Sequence, residues 1–167
     1  MKATKKSDEI EMKVTERIKT FDDACKELGE NHPFVLQYNT LRDAGANGID
    51  CPDISAYLKL RIICAALNEG WEPKFTNDEY RCYPWFRLYT QEDIDRMDEE
   101  ERKNLVLWGG DAVDGATCGL ASAVSNRAWS HSLADFGSRH ALKTRELAIY
   151  CGKQFIDLWC DFYILRK

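Results

Sequence analysis

The sequence lacks most of the patterns that assign a protein to a chemical class. Its seven cysteines form no Cys-x-x-Cys pair, which disfavours structural zinc. Neither Gly-x-x-x-x-Gly-Lys-Ser/Thr nor Gly-x-Gly-x-x-Gly is present, so the common phosphate loops are absent. No Gly-x-Ser-x-Gly elbow holds a nucleophile, and the spacing of three histidines defines no triad. The sequence therefore predicts no catalytic residue, no metal and no cofactor.

Long apolar runs are also missing. No segment approaches the roughly 18 apolar residues of a membrane span, and no signal-peptide core follows the lysine-rich start. We expect no membrane partner and a location in the cytosol of the producing cell, or inside a particle. The scattered cysteines, odd in number, indicate free buried thiols in a reducing compartment. A net charge of −5, with much of the acidity in residues 92–101, makes nucleic acid a disfavoured partner.

The apolar residues that are present suffice for one core. They make up 44% of 167 residues, a length within the usual range of a single domain. Residues 1–19 form a charged N-terminal arm, in which Ile10, Val14 and Ile18 keep a helical period. The sequence therefore predicts this arm followed by a single domain over residues 20–167.

Residues that typically begin or end a helix occur at several places in the domain. Thr20 and Thr90 each precede an acidic residue by three positions, a capping-box pattern, and Gly29 stops the first helix. Residues 30–53 are rich in turn formers and predict a loop, whereas residues 54–68 are apolar on several faces and predict a buried central helix. Thr144 caps a long last helix, whose apolar stripe runs from Leu147 to position 165.

Strand signals lie between these helices. Residues 80–89 are aromatic and interrupted by a proline, which predicts an edge strand. Residues 120–130 and 136–143 alternate with period two and predict a hairpin connected through residues 130–135. The expected fold class is α+β, with helices at both ends packed on a small, mainly antiparallel sheet.

Two catalytic interpretations can be built and both are weak. Asp53, Glu72 and Lys74 have the spacing of a magnesium-dependent nuclease, but Pro73 interrupts the required strand and Asp53 resembles a helix cap. A hydrolase would use His131 or His140 as its base. Its candidate nucleophiles are Cys118, Ser122, Ser125, Ser130 and Ser138. Nothing in the sequence holds one of them beside a histidine.

A recognition surface is the stronger hypothesis. Flat rings and hydrogen-bond donors recur along the predicted strands, a mixture that suits a protein interface, a nucleotide or a glycan. The candidate residues are Trp85, Arg87, Arg127, Trp129, His131, Arg139 and His140. The ordinary alternative for each is a core position or a solvated sheet face. Alternation places His140 and Leu142 inward and Arg139 outward, where it binds an anionic group or pairs with Asp111 or Asp114.

A longer pattern carries a resemblance. Gly-Ser-Arg at 137–139, Lys-Thr-x-Glu-Leu-Ala at 143–148 and Gly-Lys-Gln-Phe at 152–155 resemble an uncharacterised family of small proteins from phages and mobile elements of gut Bacteroidetes. Asn-Glu-Gly-Trp at 68–71 and Tyr-Pro-Trp-Phe at 83–86 resemble earlier landmarks of that family. The resemblance covers residues 20–163 and implies a phage or mobile-element origin, with no catalytic role to transfer. Its members differ most over the stretch that corresponds to 115–135.

Two functions follow as expectations. The first is a noncatalytic phage-encoded binding or structural module, a virion component or a host-factor-binding protein, that presents a loop around 110–135. Its partner would be a protein or another copy of the chain, and it would lie in the host cytoplasm or the virion. The second is a protein that sequesters a nucleotide or another anionic small molecule through Arg127, Arg139 and His140.

Overall fold

The computed structural model describes residues 12–44, 51–74, 76, 79–86, 89–103, 105–106, 120–121, 124–129 and 138–163. Helices hold more than half of these residues. The eight helices of this part are α1 (Val14–Arg17), α2 (Phe21–Leu28), α3 (Pro33–Asp43), α4 (Pro52–Leu67), α5 (Gln91–Arg96), α6 (Glu99–Lys103), α7 (Arg145–Gln154) and α8 (Ile156–Tyr163). Its strands are β1 (Tyr80–Trp85), β2 (Leu105–Val106), β3 (Leu120–Ala121) and β4 (Val124–Trp129).

The predicted α+β class, with a small, mainly antiparallel sheet between terminal helices, is wrong. The described chain is mostly helical, and its strands occur only as two-stranded pairs, β1 with β4 and β2 with β3. The predicted hairpin partner of β4, residues 136–143, is not a strand over its described part. Residues 138–143 form a turn in which Leu142 alone bridges Cys82. Local alternation could not reveal that the partner of β4 lies some forty residues earlier in the chain.

The first helices follow from their caps. The Thr20 hydroxyl accepts from the Asp23 amide, and the Asp23 carboxylate accepts from the Thr20 amide, which confirms the capping box. Gly29 ends α2 with a φ of 86°, a conformation that glycine adopts without strain. The predicted loop over 30–53 is wrong in its first half, where α3 forms. Pro33 occupies the first turn of α3, and His32 Nδ1 accepts from the Phe34 amide 3.2 Å away.

Helix α4 is the centre of the molecule, as predicted. Residues on several of its faces are buried because α2, α3, α7 and α8 pack around it. The buried residues of α4 are Ala56, Leu58, Leu60, Ile62, Ile63, Cys64, Ala66 and Leu67. The helix ends at Asn68, after which Glu69 and Gly70 take φ values of 49° and 82°. This turn releases the chain toward β1.

The last helical segment begins as predicted and then differs. The Thr144 hydroxyl accepts from the Leu147 amide and caps α7. The predicted continuous helix is wrong, because the chain breaks at Phe155, whose φ of −114° and ψ of 35° are not helical. The break lets α7 lie on β1 and β4 while α8 packs against α4. Phe155 is buried at this corner.

One apolar cluster joins these elements. It runs from Val14 and Ile18, which fall in the predicted arm, through α4 to Trp159 in α8. All six cysteines in the described residues are free, and four of them are buried. Cys51 is exposed, and Cys118 lies outside the described residues. No helix among these residues has the length and apolar character needed to cross a membrane.

Candidate functional site

The loop over residues 138–143, called here the 138–143 loop, is the most heavily anchored polar segment of the described chain. Three polar or charged residues are buried among the described ones, Asn68, Arg81 and His140. One of them belongs to this loop, and the other two bind it. Burying a polar side chain is unfavourable unless it is hydrogen-bonded, so three such groups define one specified conformation.

Arg81 of β1 fixes the start of the loop. Its Nη1 donates to Ser138 Oγ at 2.7 Å, and its Nη2 donates to the Lys74 carbonyl at 3.2 Å. Its Nε lies 3.5 Å from a Glu79 carboxylate oxygen, which balances the charge. Only 8% of the Arg81 side chain is exposed. The guanidinium therefore acts as a buried connector between β1, the segment that precedes it and the loop.

Asn68, at the end of α4, fixes the second half of the loop. Its Nδ2 donates to the Ala141 carbonyl at 2.8 Å, and its Oδ1 accepts from the Lys143 amide at 3.0 Å. Between these two positions, Leu142 exchanges backbone hydrogen bonds with Cys82 at 3.1 and 2.9 Å. Both sides of the loop are thus tied to secondary structure.

His140 fills the core beneath the loop. The rings of Tyr57, Trp159 and Phe162 lie 4.9, 5.5 and 5.4 Å from its ring centre. Burial lowers the pKa of the imidazole from 6.5 to about 4, opposed by the hydrogen bond to the Tyr57 carbonyl and assisted by the charges of Arg61 and Arg139. The neutral ring carries its proton on Nε2, which lies 3.3 Å from that carbonyl oxygen.

Arg139 is exposed in this anchored loop, as is Ser138, whose hydroxyl is bound to Arg81. Its neighbours on either side, Ser138 and His140, are both fixed by hydrogen bonds, so the position of its backbone is set. The Arg139 guanidinium has no hydrogen bond or ion pair with any residue that the structure describes. Its predicted partners Asp111 and Asp114 lie outside those residues. Arg139 faces outward, with His140 and Leu142 inward, but Ala141 is buried too, as in a turn and unlike a strand.

A charged network continues from the loop to the first helices. Lys143 Nζ lies 2.7 Å from one Glu69 oxygen, and Arg17 Nη2 lies 3.0 Å from the other. Arg17 also pairs with Glu27 at 2.7 Å. These pairs keep the Glu69 carboxylate ionised, because its hydrogen bonds to Lys143 and Arg17 lower its pKa. A cleft of about 560 Å³ beside this network is lined by Met12, Lys13, Val14, Thr15, Arg17, Glu69, Lys143, Thr144, Glu146 and Leu147.

Among the other residues of the predicted recognition surface, only Trp85 has a described side chain besides Arg139 and His140, and no hydrogen bond or ring contact among the described residues joins it to Arg139. Trp85 ends β1 and has 41% of its surface exposed. The backbone of Arg127 lies opposite Cys82 and that of Trp129 opposite Tyr80, at the other end of β1 from Trp85. Six strand residues span roughly 17 Å, which separates these two tryptophan positions. Arg87 and His131 lie outside the described residues.

The geometry does not support the catalytic interpretations. Asp53 lies in the first turn of α4 and Glu72 follows its far end, so the two acids are separated by roughly the 24 Å length of such a helix. Among the hydrolase candidates, His140 is a core residue and Ser138 Oγ is bound to Arg81. Cys118, Ser122, Ser130 and His131 lie outside the described residues, and only the backbone of Ser125 is described. No three His, Cys, Asp or Glu residues of the described segments are grouped to hold a metal ion.

Sequence reasoning missed Asn68, Arg81 and Arg61. Asn68 and Arg81 bind residues 73 and 57 positions away, which no local pattern encodes. A weak signal existed for Asn68, which stands at the end of an apolar helix next to Glu69 and Gly70. Arg61 was visible only as a charged residue inside the apolar central helix.

Comparison with known proteins gave no match: no family model fits the chain, and no curated protein or solved structure is significantly similar to it.

Proposed function

We propose that the protein is a noncatalytic binding module that presents Arg139 to a protein partner. The observation that carries this proposal is the shared task of the three buried polar residues, which all fix the 138–143 loop. A loop held this way loses little conformational freedom when it binds, and this lowers the entropic cost of association. Arg139 then contributes an exposed cation at a fixed place, and arginine is among the residues enriched at binding hot spots.

The sequestering function has weaker support. It combined Arg127, Arg139 and His140, and of these His140 is buried and neutral near pH 7, so it offers neither a charge nor an exposed donor. The phage origin implied by the resemblance belongs to the proposal as its biological setting. In that setting the partner is a virion protein or a host factor. Mass spectrometry of purified particles separates the two, because a virion component must be present in them.

Photo-cross-linking tests the binding role directly. Tyr80 is exposed and lies two residues before Cys82, which pairs with Leu142 of the loop, so a benzoylphenylalanine at position 80 lies near the loop without replacing Arg139. In the cells that make the protein, we expect a discrete protein adduct that disappears when Arg139→Ala is added. The same photoreactive residue at Leu36, which is exposed on α3, provides the control and should give no such adduct. An adduct at position 80 that survives Arg139→Ala, or none at all, contradicts the proposal.

A further inference from the structure

Arg61 has an environment prepared for an anion. Its guanidinium carbon lies 3.7 Å from the centre of the Phe34 ring, and its Nη1 donates to Gln37 Oε1 at 3.2 Å. The ring and the amide hold the planar group in one orientation. Its Nε is buried and has no hydrogen-bond partner. Because this Nε is shielded, a carboxylate would meet only the exposed part of the group, which the Phe34 ring and Gln37 hold flat.

Arg61 and Arg139 both lie near the buried His140 ring. His140 Nε2 contacts the Tyr57 carbonyl, which in the α4 backbone is the acceptor one turn before Arg61. Arg139 is the residue next to His140 in the chain. Both arginines lower the pKa of His140, as cations near the ring must. The neutral imidazole therefore adds no third positive charge beside the two arginines.

Neither Arg61 nor Arg139 has an acid beside it among the described residues, unlike four other arginines of that part of the chain. Arg17, Arg42, Arg81 and Arg96 each pair with a carboxylate. No carboxylate of the described segments lies within ion-pair distance of Arg61 or Arg139. The chain carries a net charge of −5, and two arginines without an acid partner among the described residues offer a place for a negatively charged group.

We infer that Arg61 and Arg139 form one cationic contact surface that binds an acidic peptide segment of the partner. This inference rests on the proposed binding function and names the chemistry of the partner. A peptide fits better than a nucleotide because Arg139 lies exposed on a turn, and small molecules are usually bound in enclosed pockets. The 560 Å³ cleft includes neither arginine. Nucleic acid would require a longer basic track than two arginines on an acidic chain supply.

Fluorescence anisotropy with a labelled decaglutamate peptide, at low salt, tests the inference. Loss of a charge-assisted hydrogen bond should weaken binding about tenfold in Arg61→Ala and in Arg139→Ala. Arg61→Lys keeps the charge but loses the flat stacked group, so it should also weaken binding. Arg145→Ala is the matched control, an exposed arginine on α7, and should change binding less than about twofold. Circular dichroism checks the fold of each variant, and Arg61→Gln replaces Arg61→Ala if the latter does not fold.

Three results would overturn the inference. One is an equal loss in Arg145→Ala, which would indicate attraction to net charge alone. Another is unchanged binding in both the Arg61 and Arg139 variants. The third is displacement of the peptide by inorganic phosphate or ATP at concentrations at which free glutamate has no effect, which would indicate a small-anion site. A further result is an adduct at position 80 that depends on Arg139, together with decaglutamate binding that depends on neither arginine. That result would support the binding function and reject an acidic peptide as the partner.

Discussion

His140 is the residue whose chemistry depends most on its surroundings. Three aromatic rings and the Tyr57 carbonyl surround it, and the charges of Arg61 and Arg139 further disfavour its protonation. In water the same imidazole would take up a proton near pH 6.5. The folded state therefore binds fewer protons than the unfolded state whenever the pH lies between the two pKa values. This difference makes stability depend on pH.

We expect the free energy of unfolding to fall by about 2 kcal/mol between pH 7 and pH 5 because of His140. The folded pKa of about 4 lies below the ordinary 6.5, so the stabilisation is fully present above pH 6.5 and is lost as the pH falls toward 4. Urea denaturation at several pH values measures it.

His140→Phe is the matching variant because it keeps a ring among the aromatic neighbours and cannot titrate. Its stability should change little over the same interval. Carboxylates such as Glu69 and Asp23, whose pKa values are lowered, take up protons at more acidic pH. Their effect on stability should be the same in the original protein and in His140→Phe. A variant that loses as much stability as the original protein would show that other groups produce the slope.

At the scale of elements, the 138–143 loop is held by two connections of different kinds. Arg81 provides a charged connection to β1, whereas Asn68 provides a neutral one to the end of α4. The neutral connection is the simpler to test, because removing it leaves no buried charge behind. It leaves the Ala141 carbonyl and the Lys143 amide without their side-chain partner.

Asn68→Ala should lower the free energy of unfolding by about 3 kcal/mol, since each unsatisfied buried group costs about 1–3 kcal/mol. Asn31→Ala, in the exposed turn between α2 and α3, is the control and should cost less than about 0.5 kcal/mol. Amide hydrogen exchange at Lys143 should become faster in Asn68→Ala only. Equal effects of the two substitutions would mean that water or a shifted backbone replaces the Asn68 contacts.

Elements whose signals are local could be predicted from the sequence. Thr20, Thr90 and Thr144 cap helices as their spacing indicated, and the apolar helix over 54–68 is the buried α4. The break at Phe155 could not be predicted, because an apolar stripe continues through it and tertiary packing decides the turn. The pairing of β1 with β4 could not be predicted either, because the two strands are far apart in the sequence.

In the candidate site, too, the local features could be predicted from the sequence and the long-range ones could not. Alternation around Arg139 gave the correct inward and outward sides, although the backbone is a turn. Its anchors Asn68 and Arg81 remained invisible because polar residues far away in sequence supply them. The other predicted binding residues were chosen for their chemistry alone, and their membership of one surface with Arg139 stays a prediction.

At the scale of the whole molecule, a single apolar cluster holds α1 to α4, β1, the loop and the last two helices. Ile94 of α5 is buried but does not belong to that cluster. Three buried cysteines belong to this cluster, Cys64 on α4, Cys82 on β1 and Cys151 on α7. Cys160 on α8 lies in a smaller cluster with Phe86, Ile156 and Tyr163. The hydrogen bond with Cys151 and burial raise the pKa of Cys64, which further suppresses its reactivity.

Thiol labelling therefore reports whether these parts unfold together. With a maleimide in native buffer, exposed Cys51 should react first and half-buried Cys25 more slowly. Cys64, Cys82, Cys151 and Cys160 should react only through unfolding, with the same dependence on urea, if one core unites their elements. Peptide mapping by mass spectrometry assigns each site. Labelling of Cys82 at much lower urea than Cys64 would show that the pair of β1 and β4 opens separately, and the loop anchored to β1 would then be less rigid than its contacts indicate.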